Sequence, residues 1–315
     1  MSEIEEKRKT TPAKETENIA PGAVQTPDVG PVSCSAVIFS AAGFLLVAMA
    51  CFEWMAILGV VITSVSCGIG DATFLGYSSK FNKNVVSTWS SGAGAAGVIG
   101  SVSYATLTEL KLSPSETMLV MVIFPFLEAM SFWVLLRKPQ RAAASAITGA
   151  LIEDQKPLIG FAQKFAYPRT LFELVLFKNI FLDKASQYRW LNVAYRIGEF
   201  VARSSVNLCQ FPKIWLMVVF QFMNLAYFFT EVTFCYTPSI WITFTIIVWE
   251  GLLGGGAYVN TFYRMSHEIP PARLEFAMST VVQADAYGIA LAGFLAMPVH
   301  NAICSLPVAE RTIEW

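Results

Sequence analysis

Apolar residues gather in eight long runs along the chain, and short polar stretches that carry much of its Lys and Arg separate them. Each run approaches the roughly 20 residues that an α-helix needs to cross a bilayer. The pattern therefore predicts an all-α fold, a polytopic bundle of transmembrane helices. The predicted spans are residues 35–52, 55–77, 85–107, 117–136, 188–207, 214–235, 239–261 and 276–298.

Lys and Arg predict the orientation of these spans, because loops rich in positive charge stay in the cytosol. They place the loop 137–165 and the connection after Arg203 in the cytosol, and the loop 108–116 in the lumen. An even number of crossings must then separate the two cytosolic segments. Residues 166–182 are therefore predicted as a ninth, weak span, although charged residues interrupt their apolar run.

These assignments divide the chain into five regions. They are a disordered cytosolic tail at 1–32, an N-terminal half-bundle of about four spans at 33–136, a cytosolic loop at 137–165, a C-terminal half-bundle of about five spans at 166–300, and a C-terminal tail at 301–315. The tail at 1–32 is rich in Glu, Lys, Thr and Pro and has little to bury, which predicts disorder.

Composition supports a membrane protein. Hydrophobic residues make up 55% of the 315 positions and charged residues 14%, which is too little charge for a soluble domain of this length. The net charge of −1 gives no indication of a nucleic-acid partner. The six cysteines have no metal-site spacing, and His267 and His300 belong to no catalytic motif. We therefore expect no enzyme activity, no cofactor and no metal.

Small residues recur at every fourth position in two of the predicted helices. On the first helix, Gly92, Ala96 and Gly100 form one strip and Ala93, Gly97 and Ser101 form a second. On the other helix, Gly251 and Gly255 form such a strip. Smooth strips let helices approach closely in lipid, so we expect these residues to contact neighbouring helices. Ser and Thr residues stand at the entrance of the first strip, which leaves open that this helix faces a wet interior.

Several ionisable residues lie within the predicted spans, where a charge is costly and is a functional hypothesis by default. Arg196, Glu199 and Arg203 fall on one stripe of a single helix. We interpret Arg196 and Glu199 as a structural pair. Arg203 is either a ligand for a phosphate group or an arginine that snorkels to lipid headgroups. The other ionisable residues of the spans are Asp71, Glu128, Glu231, Glu250 and Asp285.

Glu250 precedes a glycine-rich segment, which permits a bend of the kind that lines transporter sites. Its carboxylate is expected either to carry a proton or orient a substrate hydroxyl, or to bond a neighbouring helix. Tyr258, Asn260 and Thr261 continue the polar face of the same helix, and Asp71 lies in a similar glycine-containing segment.

Short motifs in a fixed order link the chain to a known family. They include Ser-Cys-Gly-Ile-Gly-Asp-Ala-Thr-Phe-Leu at 66–75, Val-Val-Ser-Thr-Trp-Ser-Ser-Gly-Ala-Gly at 85–94, Gln-Tyr-Arg-Trp at 187–190, Ala-Arg-Ser-Ser at 202–205, the segment 250–262, and Glu-Phe-Ala-Met at 275–278. Together they resemble the battenin family, lysosomal membrane proteins whose loss in humans causes a childhood neuronal storage disease.

The resemblance implies a fold similar to the major facilitator superfamily with about eleven spans. Relative to that pattern the chain begins two helices late, and it lacks an aromatic-rich helix before Leu-Phe-Glu-Leu at 171–174. The resemblance also implies export of glycerophosphodiesters from the lysosome, and links to lysosomal pH and basic amino acids. The candidate substrate-binding residues are then Arg203, Ser204, Glu250, Asp71 and Asn260. The alternative is a membrane interaction or trafficking protein that does not transport.

An acidic dileucine pattern lies in the predicted cytosolic loop. Asp154 precedes Leu158 and Ile159 at the spacing that clathrin adaptor complexes bind. We expect the adaptors to read it as an address to the lysosome or late endosome. The other expected partners are the lipid bilayer and a small anionic substrate.

Overall fold

The computed structural model describes residues 29–78, 84–135, 171, 174, 175, 177 and 182–305. Within these ranges the chain forms nine α-helices and one π-helical turn, and no β-strand, so the predicted all-α fold is confirmed. The helices are α1 (Val29–Ala48), α2 (Glu53–Ser78), α3 (Asn84–Glu109), α4 (Pro114–Met121), α5 (Ile123–Met130), α6 (Lys184–Ser204), α7 (Ile214–Phe234), α8 (Ile240–Glu268) and α9 (Pro271–Cys304), and the π-helical turn Ser131–Leu135 follows α5.

Six segments of the described chain are long and apolar enough to cross a membrane. They correspond to α1, α2, the α4–α5 segment with its π-helical turn, α7, α8 and α9. Helices α3 and α6 occupy the two remaining predicted spans, and both pack against other helices of the bundle. The predicted ninth span at 166–182 lies mostly outside the described residues.

The predicted span at 117–136 consists of two consecutive helices rather than one. Helix α4 starts at a capping box, in which Ser113 Oγ accepts the Glu116 N–H at 3.2 Å and Glu116 Oε2 accepts the Ser113 N–H at 2.8 Å. The break between α4 and α5 falls at Val122. Pro125 explains this break, because it has no N–H to donate to the carbonyl of Met121 four residues earlier.

Two helix crossings depend on glycine. Where α6 crosses α8, a Cβ atom at Gly198 would lie 2.2 Å from the Val248 carbonyl oxygen, and one at Gly251 would lie 2.2 Å from the Tyr195 oxygen. Where α1 crosses α2, a Cβ atom at Gly43 would lie 2.8 Å from the carbonyl oxygen of Gly59. These backbones touch, which is the close approach that stabilises helix pairs in lipid.

Helices α3 and α6 run antiparallel. At one end, Glu109 of α3 accepts hydrogen bonds from Ser186 at 2.5 Å and from Arg189 at 3.2 Å. At the other end, the hydroxyls of Ser91 and Ser204 lie 2.8 Å apart. The end of α3 and the beginning of α6 therefore lie on the same side of the bundle.

Helix α9 joins the two halves of the bundle. It packs on α2 and α8, and the buried side chains at this junction form one hydrophobic cluster. Its members come from α2, α3, α8 and α9, with Trp89 and Tyr258 packed against it. The buried members are Leu75, Val86, Phe262, Met265, Leu274, Ala277, Met278 and Val281.

Candidate binding site

Three charged residues of α6 form one ion-pair cluster inside the bundle. Glu199 lies between two arginines: its Oε1 is 2.6 Å from Arg203 Nη2, and its Oε2 is 2.6 Å from Arg196 Nη1. Glu199 is 3% exposed and Arg203 is 9% exposed. The sequence interpretation separated a structural Arg196–Glu199 pair from Arg203. The predicted Arg196–Glu199 pair is present, but Arg203 is not separate from it, because the same carboxylate pairs with both guanidinium groups.

Arg203 also contacts an aromatic ring of α8. Its guanidinium carbon lies 4.2 Å from the centroid of the Tyr258 ring, a distance at which a cation is attracted to the ring face. The buried Nε of Arg203 has no hydrogen-bond partner among the described residues. The alternative of an arginine snorkelling to lipid headgroups does not fit this side chain, which is buried between helices.

The charge environment of Tyr258 extends beyond α6. The charges of Arg203, Asp71, Asp285 and Glu199 all act on its phenol. Asp71 belongs to α2 and Asp285 to α9, so charged side chains of three helices are near enough to the Tyr258 ring of α8 for their charges to act on it.

Helix α3 forms the wall of this cluster through its glycines. A Cβ atom at Gly94 would lie 3.3 Å from Arg203 Cδ, and one at Gly97 would lie 3.2 Å from Arg196 Cδ. The Ser91–Ser204 hydroxyl pair lies at the same interface, next in sequence to Arg203. Ser204, a candidate ligand, is therefore adjacent to Arg203 and bonded to α3.

Of the two predicted strips of α3, the one formed by Gly92, Ala96 and Gly100 is not the contact face, whereas Gly97 of the other strip meets Arg196. A Cβ atom at Gly92 or Gly100 would have no described neighbour within 4 Å, and Ala96 is exposed. The contact face instead carries Gly94 and Gly97, because α3 turns this side toward the arginines of α6. On α8, the structure places Gly251 and Gly255 against the α6 backbone, at Tyr195 and Glu199.

Glu250 lies apart from the Arg203 cluster and bonds to α7. One of its carboxylate oxygens accepts the side-chain amide N–H of Gln221, and the other accepts that of Asn224 at 2.5 Å. Glu250 and Gln221 are fully buried. The structure thus favours the second expectation for Glu250, a carboxylate bonded to a neighbouring helix.

Asn260 also has local partners. Its Nδ2 donates to the Gly256 carbonyl at 2.7 Å, and its Oδ1 accepts the Phe211 N–H at 2.9 Å. With 2% of its surface exposed, it fixes the segment between α6 and α7 to α8. The structure therefore gives Asn260 and Glu250 hydrogen-bond partners of their own, whereas Arg203 contacts Tyr258 of α8 and Ser204 contacts Ser91 of α3.

Asp71 lines a cavity of about 510 Å³ between α1, α2, α3 and α5. Glu128, another ionisable residue of the predicted spans, lines the same cavity. Glu231 is buried at the end of α7, where it accepts the N–H and the hydroxyl of Thr237. Within the described residues, no group of three or more His, Cys, Asp and Glu side chains is placed to hold a metal.

Sequence reasoning missed the partners of the charged groups. Tyr258 was read only as part of a polar face, and Gln221 and Asn224 were not selected at all. Their signal is spacing: Gln221 and Asn224 are polar residues three apart on one face of α7, in the part of the helix from 214 to 226 that is otherwise apolar. The dileucine residues Asp154, Leu158 and Ile159 lie outside the described residues.

The fold and the site together define the class of protein: it is a multi-pass, all-α membrane protein with a buried cluster of charged residues. The family model described as CLN3 protein matches residues 10–167 and 158–306. Battenin of Canis lupus familiaris is 36% identical, over 85% of this chain and 70% of the relative. Protein btn1 of Aspergillus fumigatus is 28% identical over 87% of this chain and 75% of the relative, and protein BTN1 of Yarrowia lipolytica 28% over 86% and 78%. The chain belongs to the CLN3 family, which confirms the resemblance to battenin.

Proposed function

We propose that this chain is a protein of the lysosomal or late-endosomal membrane that exports glycerophosphodiesters, small anionic products of lipid breakdown. The proposal includes a contribution to lysosomal pH and to the handling of basic amino acids. Membership of the CLN3 family and a resemblance to battenin support it. The observation that carries it is the buried Arg203 guanidinium, whose Nε has no described partner.

A free guanidinium donor in a buried position suits a phosphate ligand. Arg recognises phosphate through parallel N–H···O bonds, and such charge-assisted bonds are stronger where water is excluded. The neighbouring hydroxyls of Ser204 and Ser91 can donate to the same oxygens if their mutual bond rearranges. The three groups lie on α3 and α6, whose relative movement would open or close the site.

The charge of the ion-pair cluster suits a ligand with one negative charge. Arg196 and Arg203 share the single negative charge of Glu199, so this triad has a net charge of +1. The single negative charge of a phosphodiester balances this excess positive charge.

The experiment is a rescue in cells that lack their own battenin-like protein. The chain is expressed, its delivery to lysosomes is verified, and lysosomal glycerophosphodiesters are measured by mass spectrometry. We expect their level to fall toward normal with the native chain and to remain high with Arg203→Gln. Arg264→Gln is the matched control, because it removes an exposed arginine of α8 that is 42% exposed and pairs with Glu268.

Two results would overturn the proposal. One is persistent accumulation with the native chain despite correct delivery, which supports the alternative of a trafficking protein that does not transport. The other is equal rescue by Arg203→Gln and the native chain, which removes the phosphate role of Arg203. In Arg203→Gln the Glu199 carboxylate keeps Arg196 as its partner, so the variant retains a paired carboxylate.

Adaptor binding in the loop 137–165 is a separate part of the proposal. A double substitution, Leu158→Ala with Ile159→Ala, is expected to move the protein from lysosomes to the cell surface. Asp154→Ala should weaken delivery less, because the acidic residue supplies only one charge of the motif. Unchanged lysosomal delivery of the double variant contradicts the sorting role of these residues.

A further inference from the structure

Two buried polar atoms lack a hydrogen-bond partner where α3 meets α6 and α8. Among the described residues, neither the Ser90 hydroxyl oxygen on α3 nor the Arg203 Nε on α6 has one. Ser90 is 1% exposed and Arg203 is 9% exposed, so bulk water has little access to either side chain. A buried polar atom without a partner is costly, and native proteins contain few of them. The proposed phosphate site uses Arg203 and leaves the Ser90 hydroxyl without a role.

Ser90 lies on the face of α3 that meets both neighbouring helices. Residues four apart share one face of a helix, so Val86, Ser90 and Gly94 lie in one row. A Cβ atom at Gly94 would lie 3.3 Å from Arg203 Cδ. At the other end of the row, Val86 is buried in the hydrophobic cluster against which Tyr258 packs. Ser90 is therefore one helical turn from the contact with Arg203 and one turn from the cluster beside Tyr258.

The contact between Ser91 and Ser204 holds α3 and α6 together at this level. The two hydroxyls are 2.8 Å apart and bond to each other. Ser91 follows Ser90 in sequence and Ser204 follows Arg203, so the bonded pair is adjacent to both unpartnered atoms. A ligand that enters between the two helices must therefore separate this pair.

The contact between α3 and α6 depends more on side chains than the crossing of α6 and α8 does. At that crossing, Cβ atoms at Gly198 and Gly251 would lie nearest to backbone oxygens of the facing helix. On α3, the atoms nearest to a Cβ at Gly97 belong to the side chain of Arg196, and most of those nearest to Gly94 are side-chain atoms too. Flexible side chains adjust when helices shift, so α3 is the wall that can open while α6 and α8 stay together.

A phosphodiester matches the two unpartnered atoms. The Nε of Arg203 donates one N–H and the hydroxyl of Ser90 donates one O–H. A phosphodiester has two non-bridging oxygens, and each of them can accept one of these bonds. Hydrogen bonds from a guanidinium to a phosphate are charge-assisted and are therefore stronger than bonds between neutral groups.

We propose that Ser90 is a second ligand for the phosphate of the substrate, together with Arg203, and that both become available when α3 separates from α6. The structure is then the closed form of the site, in which the Ser91–Ser204 bond holds the helices together. This inference rests on the proposed function, and it adds to it a ligand on α3 and the helix that moves.

The test is binding of radiolabelled glycerophosphoglycerol to the purified full chain in detergent. We expect Ser90→Ala to weaken binding by about tenfold, because a hydrogen bond to a charged ligand is lost. Ser101→Ala is the matched control: it is the same substitution on α3, and the Ser101 hydroxyl donates to the Val98 carbonyl at 3.1 Å. Its binding should equal that of the native chain. The unfolding temperature of Ser90→Ala should not fall, because the hydroxyl has no described partner in the closed form.

The outcomes separate this inference from the proposed function. Equal binding by Ser90→Ala and the native chain overturns the role of Ser90 and leaves export of glycerophosphodiesters standing. Weaker binding together with a lower unfolding temperature indicates that the hydroxyl stabilises the fold, and it overturns the role as well. No saturable binding by the native chain overturns both proposals.

A disulfide tests whether α3 must separate from α6. The variant Ser91→Cys/Ser204→Cys is made in a chain whose six native cysteines are replaced by alanine, and mass spectrometry verifies the bond. We expect the oxidised form to lose binding and a reductant to restore it. Both forms lack the two serine hydroxyls, so the difference between them reports the closed interface alone. Equal binding by the oxidised and reduced forms contradicts the movement of α3.

The phosphodiester can belong to a soluble molecule or to a lipid headgroup. Adding phosphatidylglycerol to the detergent micelles separates these sources. Unchanged binding of glycerophosphoglycerol supports a soluble diester as the ligand. Weaker apparent binding supports a lipid headgroup that competes for Ser90 and Arg203, and both results retain the site.

Discussion

The guanidinium of Arg203 lies 4.2 Å from the centroid of the Tyr258 ring, so α6 and α8 share a cation–π contact inside the bundle. Arg203 meets the Glu199 carboxylate on one side and this ring on the other. Both contacts lower the cost of keeping a charge away from water.

Replacing Tyr258 tests the cation–π contact. Tyr258→Phe keeps the ring face, whereas Tyr258→Leu removes it. We expect the Leu variant to lose about 1–2 kcal/mol relative to the Phe variant, the usual value for such a contact away from water. Thermal unfolding of both variants in the same detergent measures the difference. Equal unfolding temperatures would show that the ring contributes packing alone.

Glu199 is expected to be the most sensitive residue of the ion-pair cluster. Glu199→Gln leaves two arginines without their shared carboxylate, and breaking a buried pair costs about 3–5 kcal/mol. The yield of folded protein, measured by fluorescence-detected size-exclusion chromatography, should fall sharply. The double variant Glu199→Gln/Arg203→Gln should recover part of this yield, because the buried cation is gone. A double variant worse than both single variants would contradict the coupling.

The sequence predicted the helical fold because hydropathy is a local property of the chain. Six of the eight predicted spans correspond to helices that meet the length and hydropathy of a membrane span, and α3 and α6 occupy the other two. Arg203 and Asp71 could be selected as candidates because charge within an apolar run is visible in sequence. Their partners could not, since Tyr258 meets Arg203 through the crossing of α6 and α8.

The direction in which a helix faces was harder to predict. Both registers of small residues on α3 fit a packing strip, and nothing local to α3 decides between them. The arginines of α6 decide it, because Gly94 and Gly97 leave room for Arg203 and Arg196. The direction of the Glu250 side chain was equally hard to predict. The glycines that follow it on α8 indicated a bent helix beside a cavity, whereas in the structure its carboxylate accepts hydrogen bonds from Gln221 and Asn224 of α7.

Glycine substitutions test the crossing of α6 and α8. Gly251→Ala would place a methyl group 2.2 Å from the Tyr195 carbonyl oxygen, so the helices must separate. We expect a loss of about 1–3 kcal/mol, the usual cost of overpacking. Gly100→Ala is the matched control on α3, where a methyl group meets no described atom within 4 Å. There Ala is the better helix former, so stability should stay equal or rise by up to about 1 kcal/mol.

Thermal unfolding of the two glycine variants in one detergent gives the comparison. The unfolding temperature of Gly251→Ala should fall below that of the native chain, and that of Gly100→Ala should not. Equal losses in both variants would mean that alanine disturbs these helices generally. The close approach of α6 and α8 would then not be the cause.

The junction between the end of α3 and the start of α6 has a defined pH dependence. Hydrogen bonds from Ser186 and Arg189 hold the pKa of Glu109 below its ordinary value of 4.5. Because the folded-state pKa is lowered, the stabilisation is fully present above about pH 4.5 and is lost as the pH falls through the folded-state value. The junction should therefore stay intact at the mildly acidic pH of the compartment proposed for this protein.

Unfolding of the native chain and of Glu109→Gln, followed from about pH 7 to pH 3, measures this dependence. The free energy of unfolding should be higher for the native chain than for Glu109→Gln, and the difference should be nearly constant at neutral and mildly acidic pH. This difference should become smaller only below about pH 4.5. Glu53→Gln, which removes an exposed carboxylate from the first turn of α2, is the control for net charge. If the difference in free energy of unfolding already becomes smaller well above pH 4.5, Glu109 does not accept the bonds from Ser186 and Arg189 as a carboxylate with a lowered pKa.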